Sequence, residues 1–358
     1  AVFLVVLALR FVIPLVIPRF PLPAILVALV LDAADQTIFQ QFTDLNLDGY
    51  QNYDKALDIF YLTIAFLAVY RNWTNTTAIN VARFLWYYRL FGVWLFEVVQ
   101  ERWILFVFPN TFEYFFIAYV AIRTQWDPRR LTDRAVIGLA ACIWIFIKLP
   151  QEWWIHIAQN DFTDFMKVDV FGTTPTTSWA DAITNRPAVT IALLAAIALL
   201  TAAAVWGYRK APPKDWSFRV DVDKPLPSEL ADRPQKPLWI APPFAEKLLL
   251  VGLIAAIYVN VLDVDASIIR IVIATALIIG ASVFVSQLLA RRGVEWSSIG
   301  VQWLALAAVN SVLIGAYAAL VGDGLNRSLA AFFGLLLTMV IVLYDRYVGQ
   351  RLADPSFS

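Results

Sequence analysis

Nine ionisable side chains lie within, or at the ends of, runs of apolar residues long enough to cross a bilayer: Asp32, Asp35, Asp58, Arg89, Glu97, Glu113, Lys148, Glu152 and His156. An ionisable group at the centre of the hydrocarbon costs at least about 2.5–3.5 kcal/mol on insertion scales, so such groups face a partner or a cavity. These nine carry both signs and sit at compatible depths on consecutive segments. Gathering them round one outward-open polar cavity offsets costs that scattering would leave at every position. The chemistry that fits such a gathering is a substrate or proton site.

Two groups within the set carry a sharper expectation. Lys148, Glu152 and His156 follow at intervals of four, which places them on one helical stripe with Glu152 able to bridge its neighbours. Pro150 lies between them and can kink that stripe. His156 is the only histidine in the chain; the bland reading of the triplet is a row of side chains snorkelling at the end of a span. Arg89 lies about ten residues into its helix, roughly 15 Å from the end, too deep to snorkel. It needs a carboxylate, and Glu113, Asp32 and Glu97 are at hand; a buried ion pair that only fixes helix packing is the bland alternative.

The segment 44–55 invites a metal reading. Asp44, Asn46, Asp48, Gly49, Tyr50 and Asn52 fall at positions 1, 3, 5, 6, 7 and 9 of a calcium loop, but position 12 is Lys55, with Asp54 one residue early. An acidic turn that happens to match is the favoured reading. The chain has no phosphate-binding GxxxxGK[ST], no HExxH, no CxxC and no GxSxG, and no pattern names a cofactor.

The elements that must position these residues are membrane spans. Of 358 residues 60% are hydrophobic and 16% charged, with a mean hydropathy of +0.66, against about half apolar and a quarter charged in soluble domains. Equal numbers of basic and acidic residues, 28 each, remove any general case for nucleic acid as a partner. Apolar runs of about 20 residues fall near 56–70, 79–99, 104–123, 134–150, 187–207, 246–263, 266–289, 298–321 and 328–347. Residues 1–17 form a further span or an interfacial helix. Residues 21–35 open on Pro21 and Pro23 and end in Asp32 and Asp35, which predicts a short or broken span. The fold class is thus an all-α polytopic bundle of about ten spans with a short or broken N-terminal helix. Alternate loops hold seventeen of the Lys and Arg against five in the other set. That split places the C-terminus in the cytoplasm.

The chain divides near residue 187. Residues 1–186 form a charge-rich, aromatic-rich half that carries the polar site. Residues 187–358 form a more apolar half with a Pro-rich cytoplasmic linker at 208–245.

The strings LDAADQT (31–37), GYQNYDKALD (49–58), FPNTFEYFF (108–116) and KLPQEWWIH (148–156) resemble those of multi-pass integral membrane proteins of actinobacterial type to which no function is assigned. The resemblance covers most of 20–165 and LYDRY (343–347). It implies a bacterial plasma-membrane setting and carries no activity to any position.

Three functions compete. A transporter or channel would use the charges as its site. A membrane-embedded transferase on a lipid-linked substrate would use Asp32 or Asp35 beside the first outward loop as base or metal ligand. A structural subunit or scaffold would use the charges as packing pairs. The partners expected are the lipid bilayer, a lipid-linked or small polar substrate, and other subunits of an oligomer or complex.

Overall fold

The computed structural model describes residues 2–42, 50–128, 131–211, 213, 243–261, 280, 299–321 and 327–353. Among them there is no strand. The N-terminal run forms α1 (Val2–Val12) and a tight 3-10 turn at Ile13–Val16, after which the chain turns into α2 (Pro21–Phe42). Then come α3 (Tyr50–Asn72), α4 (Thr76–Val99), the short α5 (Trp103–Val107) and α6 (Thr111–Arg123). A rod from Asp133 to Ile157, α7, alternates α-helical Asp133–Cys142 and Leu149–Glu152 with π-helical Ile143–Lys148 and Trp153–Ile157. Short α8 (162–170) and α9 (Trp179–Asn185) lead into α10 (Pro187–Lys210). The chain closes with α11 (Pro243–Val261), α12 (Ile299–Val321) and α13 (Arg327–Ala353).

α3 is the axis of the bundle. Every residue from Ile59 to Tyr70 is buried, as expected of a helix apolar on all sides, and it packs against α1, α2, α4, α11 and α13. α4 in turn carries α6 and α7 on its far side and meets α11. Rings fill the join: Trp73 and Tyr119 lie 4.1 Å apart between centroids, and Trp86 stacks on Phe66. α10 has no buried residue and meets α9 at its start. Tyr208, near its other end, lies edge-on to Trp126.

Among the described residues five helices are long and apolar enough to cross a membrane: Trp103–Arg123, Asp133–Ile157, Pro187–Lys210, Pro243–Val261 and Ser328–Gly349. α2, α3 and α4 reach 22, 23 and 24 residues but dilute their apolar residues with charge. The run 266–289, Gly280 apart, and the body of the linker, 214–242, lie outside the described residues.

The broken element is not where the sequence places it. Residues 21–35 sit in one continuous helix that runs on to Phe42. Pro21 and Pro23 occupy its first turn, where the missing N–H would have had no helical partner. Asp32 and Asp35 do not end the helix because a cation meets them there, as described below. The break falls instead inside the run 104–123, where Phe108, Pro109 and Asn110 separate α5 from α6.

Candidate functional site

Arg10 of α1 is held by four carboxylates from two helices. Its Nη1 donates to Asp35 and Asp54, and its Nη2 donates to Asp32 and, at 2.6 Å, to Asp58. Asp32 and Asp35 are three residues apart on α2, and Asp54 and Asp58 four apart on α3, so each pair shares a helix face. The rigid fork of a guanidinium suits such paired acceptors, which a point-charge ammonium would satisfy less well. The Arg10 and Asp35 side chains are 4% exposed, whereas Asp54 and Asp58 are 39% and 41% exposed. The cluster is therefore sealed on one side and open on the other. Oxygens of Asp32, Asp54 and Asp58 all lie within 4.8 Å of one another, a set able to hold a metal ion, and Arg10 competes for the same oxygens.

A second group forms where the broken helix meets α7. Tyr61 of α3 donates to Glu113 Oε1 at 2.6 Å, and Asn110 Nδ2 donates to Glu113 Oε2 at 2.9 Å. The backbone N–H of Asn110 donates to Glu152 Oε1 at 3.2 Å. Glu152 also takes His156 Nε2 at 3.0 Å and lies 3.5 Å from Lys148 Nζ. Lys148 donates to Gln151 and sits 4.4 Å from the Tyr114 ring centroid. The predicted stripe of Lys148, Glu152 and His156 therefore exists, with Glu152 as its bridge. Pro150 is absorbed at the start of the α-helical turn Leu149–Glu152, between the two π-helical segments.

The break at 108–110 is what brings these partners together. Stopping α5 at Val107 frees the Phe108 carbonyl, and Arg89 Nη1 donates to it at 3.0 Å. Restarting the helix at Thr111 leaves the Asn110 N–H unpaired within the helix and available to Glu152. Gly92, one turn beyond Arg89 on α4, makes room for the Phe108 side chain; a Cβ there would overlap it.

Tyr61 joins the two groups. It lies one helical turn from Asp58 on the same helix and reaches Glu113 through its hydroxyl. Hydrogen bonds and an ion pair thus link Tyr61 through Glu113 and Asn110 to Glu152 and His156, and the Arg10 cluster adjoins this path through the helical neighbours Asp58 and Tyr61. Buried Asn110 Oδ1 and His156 Nδ1 have no hydrogen-bond partner among the described residues, and buried polar atoms of this kind are ordinarily met by ordered water.

Set against the sequence reading, the nine residues form two linked groups rather than one. Asp32, Asp35 and Asp58 belong to the first; Glu113, Lys148, Glu152 and His156 to the second. Arg89 stands beside the second group but makes no ion pair with Glu113, Asp32 or Glu97; a backbone carbonyl takes its guanidinium instead. Glu97 stands apart, 3.0 Å from the half-exposed Lys55. Asp44, Asn46 and Asp48 of the calcium-like turn lie outside the described residues. Sequence reasoning missed Arg10, Asp54, Tyr61 and Asn110. For Arg10 a signal was present, since one arginine inside an otherwise apolar run beside two segments rich in aspartate needs an anion. Tyr61 and Asn110 gave none, because only the three-dimensional path distinguishes them from other tyrosines and asparagines.

No protein-family model matches the sequence, and neither a curated protein nor a solved structure is similar to it.

Proposed function

We propose that this is an integral membrane transporter or channel for a cation or proton, with its polar site in the outer half of the bundle. The observation that carries the reading is the run of polar groups from the Arg10 cluster, open at Asp54 and Asp58, to the buried Glu113 and Glu152 and on to His156. Chains of carboxylates and histidine inside membrane helices mark ion pathways and proton relays. A helix interrupted at depth, as α5–α6 is, is a device by which transporters build sites inside the bilayer. Four carboxylates against one guanidinium leave the first group with excess negative charge, so it attracts cations. In this reading Arg10 is a built-in cation that holds the four carboxylates together until an incoming cation or proton relieves them. The excess of basic residues in alternate loops supports a C-terminus on the inner side, and a bacterial plasma membrane is the setting that the resemblance implies.

The test is flux. Purified protein in liposomes holding a pH-sensitive dye is given a membrane potential and, in turn, protons, alkali-metal ions, divalent ions and small organic ammonium ions. Uptake that Glu113→Gln abolishes supports the reading. Absence of flux across the whole panel refutes it.

A second reading rests on the closeness of the Asp32, Asp54 and Asp58 oxygens: a transferase for a lipid-linked substrate in which these residues hold a divalent metal in place of Arg10. Calorimetric binding of Mg²⁺ or Mn²⁺ that Asp54→Asn removes, together with turnover of a prenyl-phosphate donor, would favour it over transport.

A further inference from the structure

Glu246, in the first turn of α11, is 2% exposed and is approached by polar groups from three other helices. Its Oε1 accepts from Tyr70 of α3 at 2.5 Å, from Arg83 Nε of α4 at 2.9 Å and from Tyr87 of α4 at 3.2 Å; the hydroxyl of Tyr344 of α13, which donates to the Pro243 carbonyl at 2.8 Å, lies 3.4 Å from its Oε2. Beside it Lys247 pairs with Asp345 of α13 at 2.8 Å. Sixteen residues of α3 separate Asp54 from Tyr70, about 24 Å of helix. One end of the bundle axis thus presents half-exposed carboxylates, and the other is closed round a buried one.

Packing alone does not call for this arrangement. Apolar residues of similar volume seal a buried site at least as well as an ion pair, because desolvation offsets most of the attraction. The donor set also suits an element with two states. Phenol hydroxyls exchange one acceptor for another freely. Arg83 Nη1 is buried with no hydrogen-bond partner among the described residues, so the guanidinium keeps a donor that these contacts do not use. Among the described residues Glu246 takes three donors on Oε1 and has only the Tyr344 hydroxyl near Oε2, an uneven load that a shift of α11 redistributes. We infer that Glu246, with Arg83 and the three tyrosines, is a gate that closes the bundle at the end opposite the Arg10 cluster, opening when α11 moves away from α3 and α4. The inference rests on reading the bundle as a membrane pathway, but its test measures no flux.

Leu250 and Ile254 lie one and two turns beyond Glu246 on the same face of α11 and are fully buried. In a background with Cys142→Ser, Leu250→Cys and Ile254→Cys report whether water reaches beneath the gate. The protein is held in nanodiscs and treated with a membrane-impermeant maleimide. The reporters should label slowly when Glu246 is intact and about tenfold faster with Glu246→Gln or Arg83→Gln, the factor that 1.4 kcal/mol of lost closed-state stability gives. Tyr70→Phe and Tyr87→Phe each remove one donor to Glu246, and Tyr344→Phe releases the Pro243 carbonyl at the start of α11; all three fold more readily and should give graded increases. Thr338→Val, which breaks the remote Asn310–Thr338 hydrogen bond, controls for general loosening. Unchanged labelling with Glu246→Gln and all three phenylalanine variants, or equal acceleration by Thr338→Val, overturns the gate. Faster labelling without flux refutes transport and leaves the gate; flux without faster labelling does the reverse.

Discussion

Arg10→Ala is the substitution that bears most directly on the site. It removes the guanidinium that Asp32, Asp35, Asp54 and Asp58 share. The four pairs are not equal. Breaking a buried pair costs about 3–5 kcal/mol because a charge is left in low dielectric, whereas an exposed pair contributes about 0.2–1 kcal/mol. Asp35 belongs to the first class and Asp54 and Asp58, each about two-fifths exposed, to the second, with Asp32 between them at 26% exposed. The loss should therefore be about 4–5 kcal/mol and should concentrate on Asp35. Unfolding in mixed micelles with increasing dodecyl sulfate, followed by tryptophan fluorescence, measures it. Adding Asp35→Asn to Arg10→Ala should recover at least half of the loss, while adding Asp54→Asn should recover about 1 kcal/mol or less. A loss for Arg10→Ala below about 1 kcal/mol, or equal recovery from the two asparagines, would refute the view that the cluster has one sealed and one open side.

Three further outcomes follow from the same geometry. Tyr61→Phe should cost about 1.5–3 kcal/mol, the range for a hydrogen bond to a charged group, and should abolish cation-driven dye quenching in liposomes. Gly92→Ala should destabilise by about 1–3 kcal/mol through overpacking against Phe108, whereas Gly138→Ala, where nothing lies within 4 Å of the added carbon, should stabilise by about 0.5–1 kcal/mol; the same micelle titration separates them. Glu97→Gln should change stability by at most about 1 kcal/mol and leave flux untouched, since its partner Lys55 is half exposed and both lie outside the path.

What the sequence makes legible is set by how local the signal is. The stripe Lys148–Glu152–His156 depends on spacing along one helix, and spacing is visible in the letters. That Asp32, Asp35 and Asp58 need a partner is equally visible, since the cost of charge in an apolar run depends on residue type alone. Which partner they find depends on how α1 folds back on α2 and α3, and nothing in the residues near Arg10 encodes that. Arg89 shows the same limit from the other side. Its depth correctly demands an acceptor, but the acceptor is a carbonyl released by the break at Phe108, and carbonyls carry no residue signature. Pro21 and Pro23 mislead because proline breaks a helix in its interior yet is at home in the first turn, and the letters alone do not say which place it holds.

The two π-helical segments of α7 carry a consequence for insertions and deletions. Each holds its backbone in i→i+5 bonds, one residue wider than the surrounding α-turns. Removing a single residue from Ile143–Lys148 lets that stretch close into ordinary α-helix without cutting the rod. The flanking α-turns then keep nearly the faces they had, because the wide turn spreads its extra residue over about the same rotation that one fewer residue covers at about 100° each. The face that α4 meets and the bridge from Glu152 to Asn110 would both stay in register. A deletion in the α-helical Asp133–Cys142 has no such slack and would turn everything before it by about 100° relative to Glu152. In an alignment of close variants, length changes of one residue should thus collect in the two π-helical stretches and be rare in the α-helical turns beside them.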